Sequence, residues 1–110
     1  MPTIEDFQQL DIRTGRIVAV EEFPKARKPT YKLQIDFGPE LGVKKSCAQI
    51  TANYTMQQLM GHIVLAVVNL PPRQIGPTVS EVLTLGVDDA HGNVVLLQAE
   101  RTVGLGQRVY

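Results

Sequence analysis

The chain has 110 residues, of which 44% are hydrophobic, and this suits one globular domain with a single core. Eleven basic residues balance eleven acidic ones, which argues against a protein that coats nucleic acid indiscriminately. No apolar run approaches the roughly 20 residues that span a bilayer, and the mixed polar start is not a signal peptide. The single cysteine allows no internal disulfide, so we expect a cytoplasmic protein without membrane insertion.

The first predicted element is a short amphipathic helix. Thr3 can cap it, acidic residues occupy its first turn, and we expect it to end near Leu10. Ile4, Phe7 and Leu10 recur on one face, which predicts packing on the same domain or on a partner subunit.

Three predicted strands follow this helix. Residues 12–23 are β-prone, and Gly15 within them indicates a bulge or a sharp coil. Residues 31–37 alternate strictly between apolar and polar side chains, which is typical of a half-buried strand. Residues 43–50 form the expected antiparallel return. The side chains predicted to face the core are Tyr31, Leu33, Ile35 and Phe37.

A second short helix separates these strands from the later ones. Thr55 and Gln58 have the spacing of a capping box, and Gly61 suits the left-handed end of the helix. Further strands are predicted over residues 63–69, 82–87 and 94–99.

The order of elements predicts the fold class. A short helix between the third and fourth strands of a five-stranded Greek-key barrel is the OB-fold arrangement. We therefore predict an all-β barrel with short helices, whose domain covers residues 8–110 and whose N-terminal helix starts within residues 1–7. Residues 103–110 form a C-terminal extension, which has little to pack on after the last barrel strand unless a partner subunit covers it.

The Pro- and Gly-rich connection of residues 69–82 is the most informative segment. A rigid loop between two strands often carries function. Its polar side chains are hydrogen-bonding groups without a nucleophile–base pair, which favours ligand recognition over catalysis. These candidate binding residues are Asn69, Arg73, Ser80 and Glu81.

Each candidate in this loop has a structural alternative. The planar guanidinium of Arg73 suits a phosphate, a base edge or a carboxylate, but it would also pair with Glu81 if the loop folds back. Asn69 would cap the turn, and Ser80 would serve as a hydrogen bonder at a strand start.

Basic residues cluster between positions 25 and 45 of this neutral chain. A loop at residues 24–29 lies where OB-folds commonly contact a ligand, and its cations are candidate phosphate contacts or solvated surface. Neighbouring strand residues point to opposite faces, so at most one of Lys44 and Lys45 faces a given ligand. The basic candidates are Lys25, Arg27, Lys28, Lys44 and Lys45.

The remaining chemistry-bearing residues predict neither catalysis nor a cofactor. Cys47, His62 and His91 lack metal-ligand spacing, so no metal site is expected, and no nucleotide-binding or hydrolase motif occurs. The small residues 46–48 leave room for something to approach the sheet, either a ligand or, as the better expectation, the second short helix.

Several motifs resemble one known family. Asp11 to Ile17 match the D-x-R-x-G-x-I opening of the tRNA-binding domain shared by methionyl-tRNA synthetase and small stand-alone tRNA-binding proteins. Residues 33–38 match its L-x-I-D-x-G strand. Residues 69–71, with Gly76 and Ser80, match its N-L-x-P…G…S segment.

Within that family the chain resembles a subgroup, the CsaA-type chaperones linked to bacterial protein secretion. The runs that carry this likeness are residues 45–51, 72–73, 80–86 and 94–97. The resemblance implies a homodimeric, non-enzymatic chaperone that binds unfolded or export-bound polypeptide, and the alternative is a stand-alone tRNA-binding protein. Glu81-Val82 stands where many tRNA-binding members carry Gly-Met, which moves the expectation toward the chaperone branch.

Overall fold

The computed structural model describes all 110 residues, and most of its regular structure is strand. Its elements in chain order are α1 (Ile4–Gln8), β1 (Ile12–Glu22), β2 (Tyr31–Asp36), β3 (Val43–Ala48), α2 (Met56–Leu59), β4 (Ile63–Val67), β5 (Arg73–Ile75), β6 (Thr78–Ser80), β7 (Leu83–Thr84), β8 (Gly86–Asp88) and β9 (Val94–Leu96). No helix is long and apolar enough to cross a membrane.

The main sheet has five antiparallel strands in the order β3-β2-β1-β4-β7. The chain around β6 and β7 returns to the free edge of β3, so the sheet curls into a nearly closed barrel. Helix α2 lies between the third and fourth strands, and the predicted OB-fold is confirmed.

Strand β1 serves both halves of the barrel. Residues 12–16 pair with β4, and residues 16–22 pair with β2. The bulge interrupts the register at Val18, three residues beyond the predicted position at Gly15. Gly15 is needed for another reason: a Cβ there would lie 2.5 Å from Ile35 Cγ2 and 2.7 Å from the Phe37 ring. The glycine lets β1 approach these core side chains closely.

The core is built on the alternation of β2. Its predicted inward residues are all buried, from 0% exposure at Ile35 to 8% at Tyr31. Ile17 of β1, Leu59 of α2 and Val64 of β4 complete its fully buried centre. The pattern read from residues 31–37 is therefore confirmed.

A capping box is present at both helices, whereas the sequence predicted a box at α2 and only a Thr3 cap at α1. The Thr3 hydroxyl accepts from the Asp6 amide at 3.2 Å, and the Asp6 carboxylate accepts from the Thr3 amide at 2.8 Å. Thr55 and Gln58 make the same reciprocal pair at α2. Gly61, with φ of 82°, ends α2 as expected. Helix α1 stops at Gln8 and buries none of its residues.

The C-terminal extension packs on its own chain. The Thr14 amide donates to the Gln107 carbonyl at 3.0 Å, and the amides of Gly106 and Val109 donate to the carbonyls of Thr14 and Ile12 at 2.8 Å. The extension thus covers the edge of β1 that β2 leaves open. The expectation that this segment has little to pack on is wrong, because β1 changes its partner at Arg16 and frees that edge.

Two predicted segments are divided differently in the structure. Residues 69–82 are not a loop throughout, since β5 and β6 form a hairpin within them. The predicted strand over residues 82–87 breaks at Leu85, whose amide donates to the Leu65 carbonyl at 2.9 Å. Strand β8 then leaves the barrel and pairs with β9.

Candidate ligand-binding face

The β5–β6 hairpin turns at Gly76 and Pro77, and Gly76 has a φ of 55°. Its tip lies against Phe23, since a Cβ on Gly76 would be 3.6 Å from Phe23 Cζ. Phe23 is buried at the start of the basic loop of residues 24–29. The hairpin and the basic loop are therefore neighbours on one side of the barrel.

A set of hydrogen bonds, here called the seam, fastens the hairpin to the edge of β3. The Glu81 amide donates to the Lys45 carbonyl at 2.8 Å, and the Lys45 amide donates to Glu81 Oε1 at 3.0 Å. Two residues farther along β3, the Cys47 amide donates to the Ser80 hydroxyl at 3.0 Å. Side-chain oxygens thus replace carbonyls as acceptors for two strand amides.

Small residues of β3 make room for this seam. The Ser46 hydroxyl donates to the Val82 carbonyl at 3.3 Å and lies 2.8 Å from the Thr84 hydroxyl. The Ser80 hydroxyl donates to the same carbonyl at 3.2 Å, and its side chain is 2% exposed. The chain from Ser80 to Thr84, rather than α2, occupies the space that the small residues leave, which corrects the expectation from the sequence.

The outer surface of the sheet beside the hairpin forms what we call the binding face. Cross-strand pairs place Lys32 beside Cys47 and Gln34 beside Lys45. Lys45 is exposed on this surface. Lys44 is half-buried and is paired across the strands with Ile35, whose side chain points inward. A cavity of about 70 Å³ opens between the sheet and β6, and its lining includes Ala19, Lys32, Lys45, Cys47 and Val79.

Three cations distant in sequence gather around Cys47. Burial raises the pKa of the Cys47 thiol above its ordinary value, and the charges of Lys32, Arg73 and Lys45 oppose that rise. Lys32 also lies 3.6 Å from a Glu21 carboxylate oxygen and 5.5 Å from the centre of the Phe23 ring. The structure therefore places Lys32 and Lys45 in the lining of the cavity, and Arg73 is near enough for its charge to act on the Cys47 thiol.

Arg73 has no internal partner in the structure. Its exposed guanidinium makes no ion pair with Glu81, because the Glu81 carboxylate accepts from the Lys45 amide instead. A free planar fork on the exposed surface is suited to carboxylate, phosphate or carbonyl oxygens.

The basic loop is held at its base and leaves its cations free. The Phe23 amide donates to the Thr30 carbonyl at 3.1 Å, and the Thr30 hydroxyl donates to the Lys28 carbonyl at 2.8 Å. Its exposed side chains make no ion pairs; they are Lys25, Arg27 and Lys28.

Asn69 is engaged elsewhere in the molecule. Its Oδ1 accepts from the Asp11 amide at 2.8 Å, and its Nδ2 donates to the Gln9 carbonyl at 2.8 Å. Both halves of the side chain therefore hold the segment that leaves α1.

A second surface lies where the two chain ends meet. Ile4, Phe7 and Leu10 of the N-terminal segment face Val109 and Tyr110 across an open groove of about 580 Å³. Ile4 is 70% exposed although it is a large apolar side chain. We call this surface the terminal groove.

Sequence reasoning missed one member of the binding face. Lys32 lies in the basic stretch between positions 25 and 45 but is not among the residues predicted for the site. The alternation of residues 31–37 was the available signal, since it places Lys32 and Gln34 outward on one surface. No group of three or more His, Cys, Asp or Glu side chains is arranged to hold a metal ion.

The family model "Putative tRNA binding domain" matches residues 12–108, nearly the whole chain. The chain belongs to this family. Its sequence is 45% identical to that of the chaperone CsaA from Bacillus anthracis. The crystal structure of that protein superimposes with a TM-score of 0.93 and covers 100% of this chain and 99% of that one. For the CsaA chaperone protein from Picrophilus torridus the identity is 44%, the TM-score 0.94 and the coverage 100% of both chains. The resemblance to the CsaA-type chaperones is thus confirmed.

Longer relatives share only this domain. The methionine–tRNA ligase of Archaeoglobus fulgidus is 37% identical over 107 residues, which are 97% of this chain and 16% of that enzyme. For the Thermococcus onnurineus enzyme the identity is 35%, covering 96% of this chain and 14% of the enzyme. The chain therefore spans about one seventh of these ligases, and the comparisons indicate a binding domain of chaperone or tRNA-binding type.

Proposed function

We propose that this protein is a molecular chaperone of bacterial protein secretion, which binds unfolded or export-bound polypeptide at the binding face. The main support for this proposal is the match to two CsaA chaperones, which extends over nearly the full length of this chain and of each chaperone chain. The tRNA ligases match over the same residues only as a small part of a much longer chain.

The chemistry of the binding face suits an extended polypeptide. The cavity lined by Ala19, Cys47 and Val79 accepts a small apolar side chain, Lys45 lines the same cavity, and Arg73 lies in the neighbouring hairpin. Both cations donate hydrogen bonds to carbonyl or carboxylate oxygens of a bound chain. The proposal assigns binding only, with no catalytic step and no cofactor.

The chaperone is proposed to act as a cytoplasmic homodimer. The terminal groove supports this, because Ile4, Phe7 and Leu10 line it without burial in their own chain. A second copy that covers this groove would remove apolar surface from water. Two binding faces on one dimer would hold one extended client at two points and so raise avidity.

The residues predicted from the sequence for the site are proposed to have two kinds of role, ligand contact and structural support. Arg73 and Lys45 are proposed ligand contacts. Ser80, Glu81 and Asn69 are proposed to support the face or the chain ends through their internal hydrogen bonds. Lys44 is expected to contribute less to binding than Lys45, because it is half-buried and is paired across the strands with the inward-facing Ile35.

Affinity for a permanently unfolded, reduced and carboxymethylated polypeptide tests this function. Fluorescence anisotropy should show saturable binding by the wild-type protein and a fall of about tenfold in Arg73→Ala and in Lys45→Ala, the loss of a charge-assisted hydrogen bond. Arg101→Ala is the matched control, because Arg101 is 87% exposed and lines a different depression. Equal affinity in all four proteins would refute the assigned face.

The second candidate function is tRNA binding in trans. It is favoured by the unpaired cations of the basic loop beside Arg73 and Lys45, and by the family model itself. Phosphate contacts of this kind predict an affinity for folded tRNA that falls steeply with salt. Substitution of Lys25, Arg27 and Lys28 together by Ala should weaken tRNA binding far more than polypeptide binding.

A further inference from the structure

Glu81 and Lys45 exchange two hydrogen bonds, and the one made by the carboxylate is unusual for a strand edge. Along a regular ladder, a backbone carbonyl would accept from the Lys45 amide. Here β6 ends at Ser80, the chain turns toward β7, and Glu81 Oε1 accepts at 3.0 Å in place of that carbonyl. The half-buried carboxylate is therefore committed to the backbone of β3.

The seam determines where the hairpin lies on the barrel. Lys45 also accepts from the amides of Glu81 and Val82, at 2.8 and 3.3 Å. Arg73 is paired with Ser80 across the hairpin, and Ser80 is the residue that precedes Glu81 in the chain. Movement of Glu81 away from β3 would thus move Arg73 away from β3 and from Lys45.

We propose that Glu81 is a positioning residue: its carboxylate oxygen holds the β5–β6 hairpin against β3 and thereby fixes Arg73 relative to Lys45, without contacting the ligand. This inference rests on the proposed function, in which both cations contact the client. The contact needs an oxygen acceptor at this position, which an amide oxygen can also supply.

The acceptor and the charge are separable by substitution. Glu81→Gln keeps an Oε1 acceptor and removes the negative charge, whereas Glu81→Ala removes both. A positioning role predicts that Gln serves nearly as well as Glu. A direct ion pair with a basic client predicts that Gln fails as badly as Ala.

The test measures both variants with and without ligand. Hydrogen exchange of the Lys45 amide, followed by NMR, should stay slow in Glu81→Gln and become at least tenfold faster in Glu81→Ala, with the Arg73 and Ser80 amide signals displaced only in the latter. Glu40→Ala is the control, because Glu40 is exposed and makes no ion pair. Unchanged exchange at Lys45 in Glu81→Ala would overturn the proposal.

Affinity for the carboxymethylated polypeptide completes the test. Glu81→Gln should bind within about twofold of wild type, and Glu81→Ala about tenfold more weakly. Arg73→Ala should cost much less affinity in the Glu81→Ala background than in wild type, because the two residues act through one arrangement. Equal losses in Glu81→Gln and Glu81→Ala, or additive losses with Arg73→Ala, would overturn the positioning role. If wild type binds no polypeptide, the proposed function fails, and the exchange and chemical-shift results still decide what Glu81 holds.

Discussion

Asn69 joins the end of β4 to the segment that leaves α1, because its side chain accepts from the Asp11 amide and donates to the Gln9 carbonyl, both at 2.8 Å. Arg108 adds a bond to the same segment, donating to the Gln8 carbonyl at 2.8 Å. The helix that lines the terminal groove is thus held by Asn69, which follows β4, and by Arg108 of the C-terminal extension.

Asn69→Ala should lower the free energy of unfolding by about 1–2 kcal/mol, since two hydrogen bonds at an exposed site are lost. Urea unfolding measures this change. Asn69→Asp keeps the oxygen acceptor but sets a carboxylate oxygen against the Gln9 carbonyl, so it should not restore the lost stability. An unchanged free energy of unfolding in Asn69→Ala would mean that hydrogen bonds to water replace both lost bonds without a loss of stability.

Light scattering at micromolar concentration should give twice the mass of the chain, because the terminal groove is proposed to be the dimer interface. Replacing the apolar Phe7 and Leu10 by Ser should shift the protein toward monomer, since the groove would lose its apolar lining. Val87→Ser is the matched control, because Val87 is 54% exposed on β8, outside the groove. A wild-type monomer would contradict the proposed assembly.

Gly15→Ala should destabilise the barrel by about 1–3 kcal/mol, because the new Cβ would overlap Ile35 and Phe37 in a packed core. Thermal or urea unfolding measures the loss. Gly104→Ala is the control: its Cβ would meet only the Gln107 side chain at 3.6 Å, an ordinary contact. Equal stability of the two variants would show that the backbone of β1 shifts at residue 15 to accommodate the Cβ without a loss of unfolding free energy.

Alkylation of Cys47 should be slow near pH 8, since burial raises the pKa of its thiol. The pH–rate profile with iodoacetamide should have its midpoint above that of the unfolded chain, about 8.5. Arg73→Ala should move the midpoint higher, because the lost cation favoured the thiolate, and Arg101→Ala should leave it unchanged. A midpoint at or below the unfolded value would contradict the burial of this thiol.

The same shift sets a direction for stability. A thiol whose pKa is raised by folding binds its proton more tightly in the native state, so this contribution is complete below about pH 8.5. It is lost as the pH rises through the folded pKa. Cys47→Ala should therefore reduce the fall in stability at alkaline pH, measured by urea unfolding across that range.

The parts of the fold that the sequence predicts are those with local causes. The alternation of residues 31–37, the α2 capping box and the Thr3 cap need only neighbouring side chains, and these predictions are confirmed. The β5–β6 hairpin was not predicted, because each of its strands has three residues and lies within a Pro- and Gly-rich segment.

The candidate site depends on contacts that no local pattern contains. Glu81 accepts from an amide 36 residues away, and Ser80 from one 33 residues away. Only the register of the barrel edge brings them together. The three cations whose charges act on Cys47 likewise come from β2, β3 and β5, so local patterns name Arg73 and Lys45 separately without relating them. Their role as ligand contacts stays a prediction.

The most direct test of the central claim is a pair of anisotropy titrations of the wild-type protein at physiological salt. One uses the carboxymethylated unfolded polypeptide and the other folded tRNA. We expect that the polypeptide binds, that Arg73→Ala weakens this binding, and that any tRNA binding falls steeply as salt rises. Persistent tRNA binding at physiological salt, with no binding of polypeptide, would contradict the chaperone assignment and favour the tRNA-binding alternative.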